Sequence, residues 1–153
     1  MSTEKCPLDE REMPEGFQVF GERLEMWGVR FRKDDAAAFA NEKKGWLELE
    51  RDPENTHDPN AIKVLGCSKG FFGIKRRVIG WIPKETARAI VEAECLNQLR
   101  PRLLKTFLGG RGYVEILFQI LGPEDKKSAF LQAVARKKGG DKKIRDKVEP
   151  QEK

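Results

Sequence analysis

The sequence predicts a mainly β domain with two helices (α+β), arranged as a small, six-stranded, partly closed antiparallel barrel. Three observations predict it. Short runs of alternating apolar and polar residues recur between residues 17 and 122, the period of a half-buried strand. Clusters of Gly, Pro, Asn and Asp part these runs at hairpin distances. Two helical patterns interrupt them without a regular strand–helix–strand alternation, so no parallel sheet is expected.

Each element has its own signal. "FQVFGERLEMWGV", from Phe17, mixes aromatic, β-branched and polar residues and reads as a strand ending near Gly28. "RKDDAAAFANEKKG" follows, where Asp34 or Asp35 can cap a short helix over three alanines and Gly45 can stop it. "WLELERD" alternates strictly, with Leu47 and Leu49 on one face and Glu48 and Glu50 on the other. "AIKVLG" is the next strand, "CSKG" a turn and "RVIGWI" the returning strand. Pro83 suits the start of a helix over "KETARAIVEAECLNQL", because the missing N–H has no intrahelical partner there; Pro101 ends it. "RLLKTFLGGRGYVEILFQILG" reads as two strands around the glycine-rich turn "GGRG". Trp27 and Trp46 are read as core residues of their strands.

The 153 residues suffice for one domain with its own core. Residues 1–16 are expected to be disordered and residues 17–122 to form the barrel. Residues 123–153 are read as a short helix followed by a basic flexible tail. Cys6, Cys67 and Cys95 are odd in number and form no CxxC pair, which argues for a reducing, cytoplasmic setting and against a disulfide framework. With one histidine they do not supply the paired ligands of a structural zinc, so no metal or other cofactor is expected. The leading residues have neither a basic nor an apolar segment of a secretion signal, and no run approaches the ~20 apolar residues of a membrane span. A monomer without membrane contact is expected.

Lys and Arg number 30 against 25 Asp and Glu, a net charge of +5. Residues 1–16 carry two basic and five acidic residues, whereas residues 136–153 carry eight basic and four acidic ones. A basic middle and tail suit a phosphate-bearing partner, which exchanges counterions for Lys and Arg.

The most unusual stretch is "RDPENTHDPNAIKV", residues 51–64. Pro53 and Pro59 fix φ and remove donors. Asp52, Asn55, Asp58 and Asn60 have short side chains that bond local backbone. The loop is therefore preorganised, either as a plain strand connection or as a mount for His57 and Asp58. A histidine in a polar turn is exposed, and its flat ring can stack on a base.

The run "GWLELERDPENTHDPNAIKV", with "IGWIPKE" after it, resembles the HIRAN domain family. That family carries a G-x-x-L-x-L-x-R-x-P-x-N-x-x-D-x-N-A-I-x-V strand–loop–strand and then an I-G-Y/H/W-I/L/V-P-K/R-E segment leading into a helix. Gly45, Leu47, Leu49, Arg51, Pro53, Asn55, Asp58, Asn60, Ala61, Ile62 and Val64 match the first motif, and Ile79 through Glu85 the second. "GVRF" at 28–31 resembles the family's first-strand motif. The resemblance spans about residues 17–122. It implies an OB-like barrel that binds DNA, in the helicase-linked members by gripping a 3′ end of a single strand in replication or repair. Carried over by match, Arg30, Phe31, His57 and Asp58 would hold terminal nucleotides, Lys84 would meet phosphate, and Trp81 would stand beside them. Phe31 and His57 replace tyrosines of the best-known end binders, which bears on end preference more than on DNA binding. The helicase motor is not part of the resemblance, since no GxxxxGKS/T loop occurs.

Apart from the family, Asp58 has a simple chemical logic. A carboxylate repels a continuing phosphodiester and accepts a hydrogen bond from a free hydroxyl, so in a basic groove it favours a strand end. Tyr113, after "GGRG", is a further stacking candidate at the groove rim, and "KRR" at 75–77 a phosphate candidate. The expected function is a non-catalytic module for single-stranded or 3′-ended DNA, with a replication or repair protein as a second partner. Two rival classes are a metal-dependent nuclease, with Glu50, Asp52 and Asp58 around Mg²⁺, and a protein-interaction adaptor. No serine stands in a nucleophile elbow.

Overall fold

The computed structural model describes residue 9 and residues 11–136. Six strands form two three-stranded antiparallel sheets. In the first, β1 (Phe17–Glu25) pairs with β6 (Val114–Pro123), and β6 with β5 (Arg100–Leu108). In the second, β2 (Gly45–Arg51), β3 (Ile62–Gly70) and β4 (Gly73–Trp81) lie in chain order. Two helices, α1 (Lys33–Ala40) and α2 (Lys84–Glu92), follow β1 and β4. A third helical segment, α3, covers residues 127–136.

The core gathers the inward residues of both sheets with the apolar faces of the helices. Phe39 of α1, Leu47 of β2, Ile62 and Val64 of β3, Ile79 of β4, Ile90 of α2 and Ile116, Phe118 and Ile120 of β6 are all buried. Strand alternation sends every second residue inward; in β6 Val114, Ile116, Phe118 and Ile120 are buried while Glu115, Leu117 and Gln119 are not. From α3, Phe130 stacks on Phe20 of β1 with ring centroids 4.9 Å apart.

The expected six-stranded, partly closed barrel does not form as one sheet; the strands divide into two. The sheets meet on one side, where Trp27 and Trp81 exchange backbone hydrogen bonds of 2.9 and 2.8 Å; the residue before, Met26, still donates its N–H to Ile116 O of β6 at 3.1 Å, so the chain passes there from the first sheet to the second. On the other side β2 and β5 form no ladder. The reason lies in what occupies the outer edge of β5. The Asp9 N–H donates to Leu103 O at 3.2 Å, and Arg11 donates through Nη2 to Pro101 O at 3.5 Å. Pro101 itself has no N–H to offer. Arg11 is also paired with Asp9 at 2.7 Å, and Arg102 donates to the Arg11 carbonyl.

Other element boundaries differ from expectation for local reasons. "CSKG" is strand, not turn: Cys67 and Ser68 are buried and paired to both neighbours, and the chain reverses at Phe71–Phe72. α2 stops at Glu92, well before Pro101, because Glu94 takes a left-handed conformation (φ 55°) just past its end. Asp34 and Asp35 lie inside the first turn of α1 rather than capping it, where their charge favours the positive end of the helix dipole. α1 ends at Ala40, with Asn41 as its C-cap, so Gly45 does not stop it. The expected basic tail from residue 137 lies outside the described residues, as do residues 1–8 and 10.

Candidate nucleic-acid interface

The side chains that could meet a ligand gather where the two sheets join. After β1 the chain enters a short 3-10 turn, Val29–Arg32, preceded by Gly28 at φ 72°. A side chain at Gly28 would suffer twice. The left-handed conformation disfavours any Cβ, and a Cβ here would stand 2.6 Å from Trp81 Cε3. So Gly28 lets the turn lie directly on the Trp81 ring, and that contact sets where Arg30 and Phe31 emerge.

Arg30 and Phe31 line an open cleft of about 320 Å³ together with Trp27, Tyr113, Glu25 and Glu115. Three aromatic rings of this cleft are exposed: Phe31 by 70%, Tyr113 by 54% and Trp27 by 52%. The Arg30 guanidinium lies over the Phe31 ring, 4.9 Å from its centroid, a cation–π arrangement. Tyr113 arrives from the turn between β5 and β6, where Arg111 takes a left-handed φ of 62° and the Gly109 N–H donates to Tyr113 O at 2.8 Å. Trp27 is therefore not the core residue that its place on the expected strand implied; β1 ends at Glu25, before it. Its backbone bridges the sheets while its ring faces the cleft, and its place in a "WGV" run did not distinguish these two roles. Trp46 is half-buried and donates to Glu48 Oε2 at 3.1 Å.

The 52–61 loop is preorganised as its composition implied. Asn55 Oδ1 accepts from the N–H groups of His57 and Asp58 at 2.8 and 3.0 Å. Asp58 Oδ1 accepts from the Asn60 N–H at 3.0 Å, and Arg51 donates to Pro59 O at 2.9 Å. The Asp52 N–H and the Ala61 carbonyl close the loop at 3.0 Å. Trp81 ties this loop to the rest of the site: its indole N–H donates to Asp52 Oδ2 at 3.0 Å, and Asn55 donates to the same oxygen at 3.3 Å. Thus one ring holds the loop through its polar edge and the Gly28 turn through its face. Lys84, exposed, opens α2 three residues beyond Trp81.

The structure thus brings Arg30, Phe31 and Tyr113 into one cleft. It seats Trp81 between that cleft's turn and the loop. His57, which is exposed, Asp58, half-buried, and Lys84 do not line the cleft. The three carboxylates considered for Mg²⁺ have other partners: Glu50 meets Lys63 at 3.8 Å, Asp52 holds Trp81, and Asp58 holds Asn60. Among the described residues no group of three or more His, Cys, Asp or Glu is placed to hold a metal ion. No described helix is long and apolar enough to cross a membrane.

Comparison with known proteins adds four findings. The HIRAN domain of human HLTF, in a crystal structure, is 20% identical, covering 81% of this chain and 94% of that one with a TM-score of 0.45. The HLTF HIRAN domain by NMR in its DNA-bound conformation is 19% identical, covering 78% and 90% with a TM-score of 0.46. None of the curated proteins matches the chain. A family model described as the HIRAN domain matches residues 23–100, just over half of the chain. That span contains both sequence motifs, the Gly28 turn and the loop that Trp81 anchors, and the chain belongs to the HIRAN domain family.

Proposed function

We propose that the protein is a DNA-binding module that holds a single strand near its end. The observation that carries this reading is the cleft itself. Three aromatic rings, each more than half exposed, surround one opening with an arginine over one of them. Burying these rings within the fold would have been favourable, and their exposure suits a ligand with flat faces and negative charge. Nucleobases stack on such rings at about 1–3 kcal/mol each, and every base has a face to offer.

The strand end is assigned to the other side of Trp81. Bases lie on Phe31, Tyr113 and Trp27; Arg30 and Lys84 face phosphates; His57 and Asp58 receive the terminal nucleotide. Asp58 favours a free 3′-hydroxyl over a phosphate, because its charge repels the latter. Glu25 and Glu115 at the cleft repel phosphate too, which keeps the backbone on the Arg30 side. Replication or repair is the setting in which such ends arise.

The test is a fluorescence titration of single-stranded, duplex and tailed DNAs, with 3′-hydroxyl or 3′-phosphate ends. Single strands are expected to bind tighter than blunt duplex, and Phe31→Ala to weaken them by roughly 5- to 100-fold, the equivalent of one lost stack. A 3′-phosphate should weaken binding to the wild type but not to Asp58→Asn. Equal affinity for every form, unaffected by Phe31→Ala, would reduce the molecule to a generic basic protein.

A further inference from the structure

A second apolar feature lies far from this cleft. The turn between β3 and β4 consists of Phe71 and Phe72, which are 94% and 96% exposed. Their rings meet edge to face, with centroids 5.1 Å apart. Ile74, next along β4, is also exposed. Nothing in β-hairpin physics calls for phenylalanine in a two-residue turn, where Gly, Asn and Asp fit best.

Cations flank the tip on both faces of the hairpin. Directly paired residues share a face, and faces alternate along a strand. Lys69 pairs with Ile74 and Cys67 with Arg76, so Lys69 and Arg76 lie on one face. Lys75 and Arg77 lie on the other, and both reach Glu42, at 3.8 and 3.4 Å. Arg76 reaches Glu48 across its own face at 2.9 Å. Four cations thus stand against two carboxylates; Lys69 is exposed and the Arg76–Glu48 pair lies at the surface, where exchange costs little, while Arg77 and Glu42 are part-buried.

We infer that this hairpin is a wedge that enters a DNA duplex where its two strands part, with Phe71 and Phe72 against the last base pair and one strand passing along each face. Apolar side chains unstack base steps in this way in other DNA-binding proteins. The distribution of charge selects this occupant over an anionic lipid surface. A membrane would meet the cations in one plane around the tip, whereas two diverging phosphate backbones need them on both faces. A second copy of the chain does not fit either, since two small tips bury far less than the ~1,200 Å² of a stable interface.

The inference rests on the proposed single-strand site and extends it. β4 spans Gly73–Trp81, so the tip and Trp81 stand about 26 Å apart at ~3.3 Å per residue. A tailed duplex would place its tail in the cleft and its junction at the tip, over a site within the roughly 4–16 nucleotides usual for OB folds.

The experiment measures affinity of the full chain for a tailed duplex and for its tail strand alone, with 2-aminopurine at the junction. The wild type is expected to bind the tailed duplex about tenfold tighter than the tail, the worth of one stacking contact, and to raise the 2-aminopurine emission. F71A/F72A, at solvent-exposed positions, should keep its thermal midpoint and its affinity for the single strand while losing both the preference and the emission change. If the double variant retains them, the wedge is wrong although the cleft stands. The same holds if the wild type shows no preference, or if the variant loses only binding to phosphatidylserine vesicles. If the wild type binds none of these DNAs, the cleft reading and the wedge fall together.

Discussion

Gly28 is a single residue on which two parts of the site depend. Its φ of 72° and the 2.6 Å that separates an added Cβ from Trp81 Cε3 act against the same substitution. Gly28→Ala is expected to destabilise the fold by roughly 2–5 kcal/mol, from about 1–2 for left-handed backbone and about 1–3 for overpacking. Urea unfolding checks this, and an unchanged midpoint would mean the turn does not lean on the ring. At this scale much of the site was legible in the sequence. The Asn and Asp residues of the 52–61 loop declare a self-bonded turn by their type and spacing, and the hydrogen bonds from Asn55 and Asp58 are those such residues make. Trp27 was not legible. A tryptophan after an alternating strand is usually buried, and only its bridge to Trp81 turns its backbone inward and leaves its ring outside.

At the scale of elements, β3 shows how burial decides what turn-like letters do. Cys67 and Ser68 carry the composition of a turn, yet both are buried in the middle strand of the second sheet. Ser68 shares with Gly66 the face on which α1 packs closely, where a Cβ at Gly66 would meet Phe39 at 2.7 Å, so only small residues fit; Cys67 lies on the opposite face. The two-phenylalanine turn was illegible for the converse reason, since turn residues are recognised by backbone preference and phenylalanine has none for that role. The burial of Cys67 has a measurable result. Burial, then the Glu48 carboxylate nearby, push its thiol up to about 12. The unfolded thiol ionises near pH 8.5, so between there and about 12 the unfolded chain releases a proton that the folded chain keeps. Stability therefore falls as pH rises through this window, by at most about 1.4 kcal/mol per unit from this group. Cys67→Ala should flatten that part of the alkaline limb of a stability profile, whereas an unchanged limb would assign it wholly to other groups.

Across the whole molecule, backbone hydrogen bonds join the two sheets along one seam, between Trp27 and Trp81, and the interface is built on that seam. The barrel expectation failed because a sequence shows strands and their faces but not which edges meet. Here the outer edge of β5 is engaged by Asp9 and Arg11 rather than by β2. The family motifs remained legible through this change because they code the loop, the Trp81 segment and the first turn, all of which lie on the closed side. Much of the net charge of +5 belongs to residues 136–153, which carry eight basic and four acidic residues, so overall attraction to DNA and specific binding in the cleft must be told apart. Salt does this. For single strands, log K falls with log salt by about 0.7 per phosphate neutralised. Arg30→Ala should weaken binding and make this slope shallower by about 0.7, because it removes one phosphate contact. Phe31→Ala should weaken binding with the slope unchanged, because stacking releases no counterions. If both variants shift the slope equally, Phe31 acts by positioning Arg30 through their 4.9 Å contact rather than by stacking on a base. If neither does, the strand does not lie in this cleft.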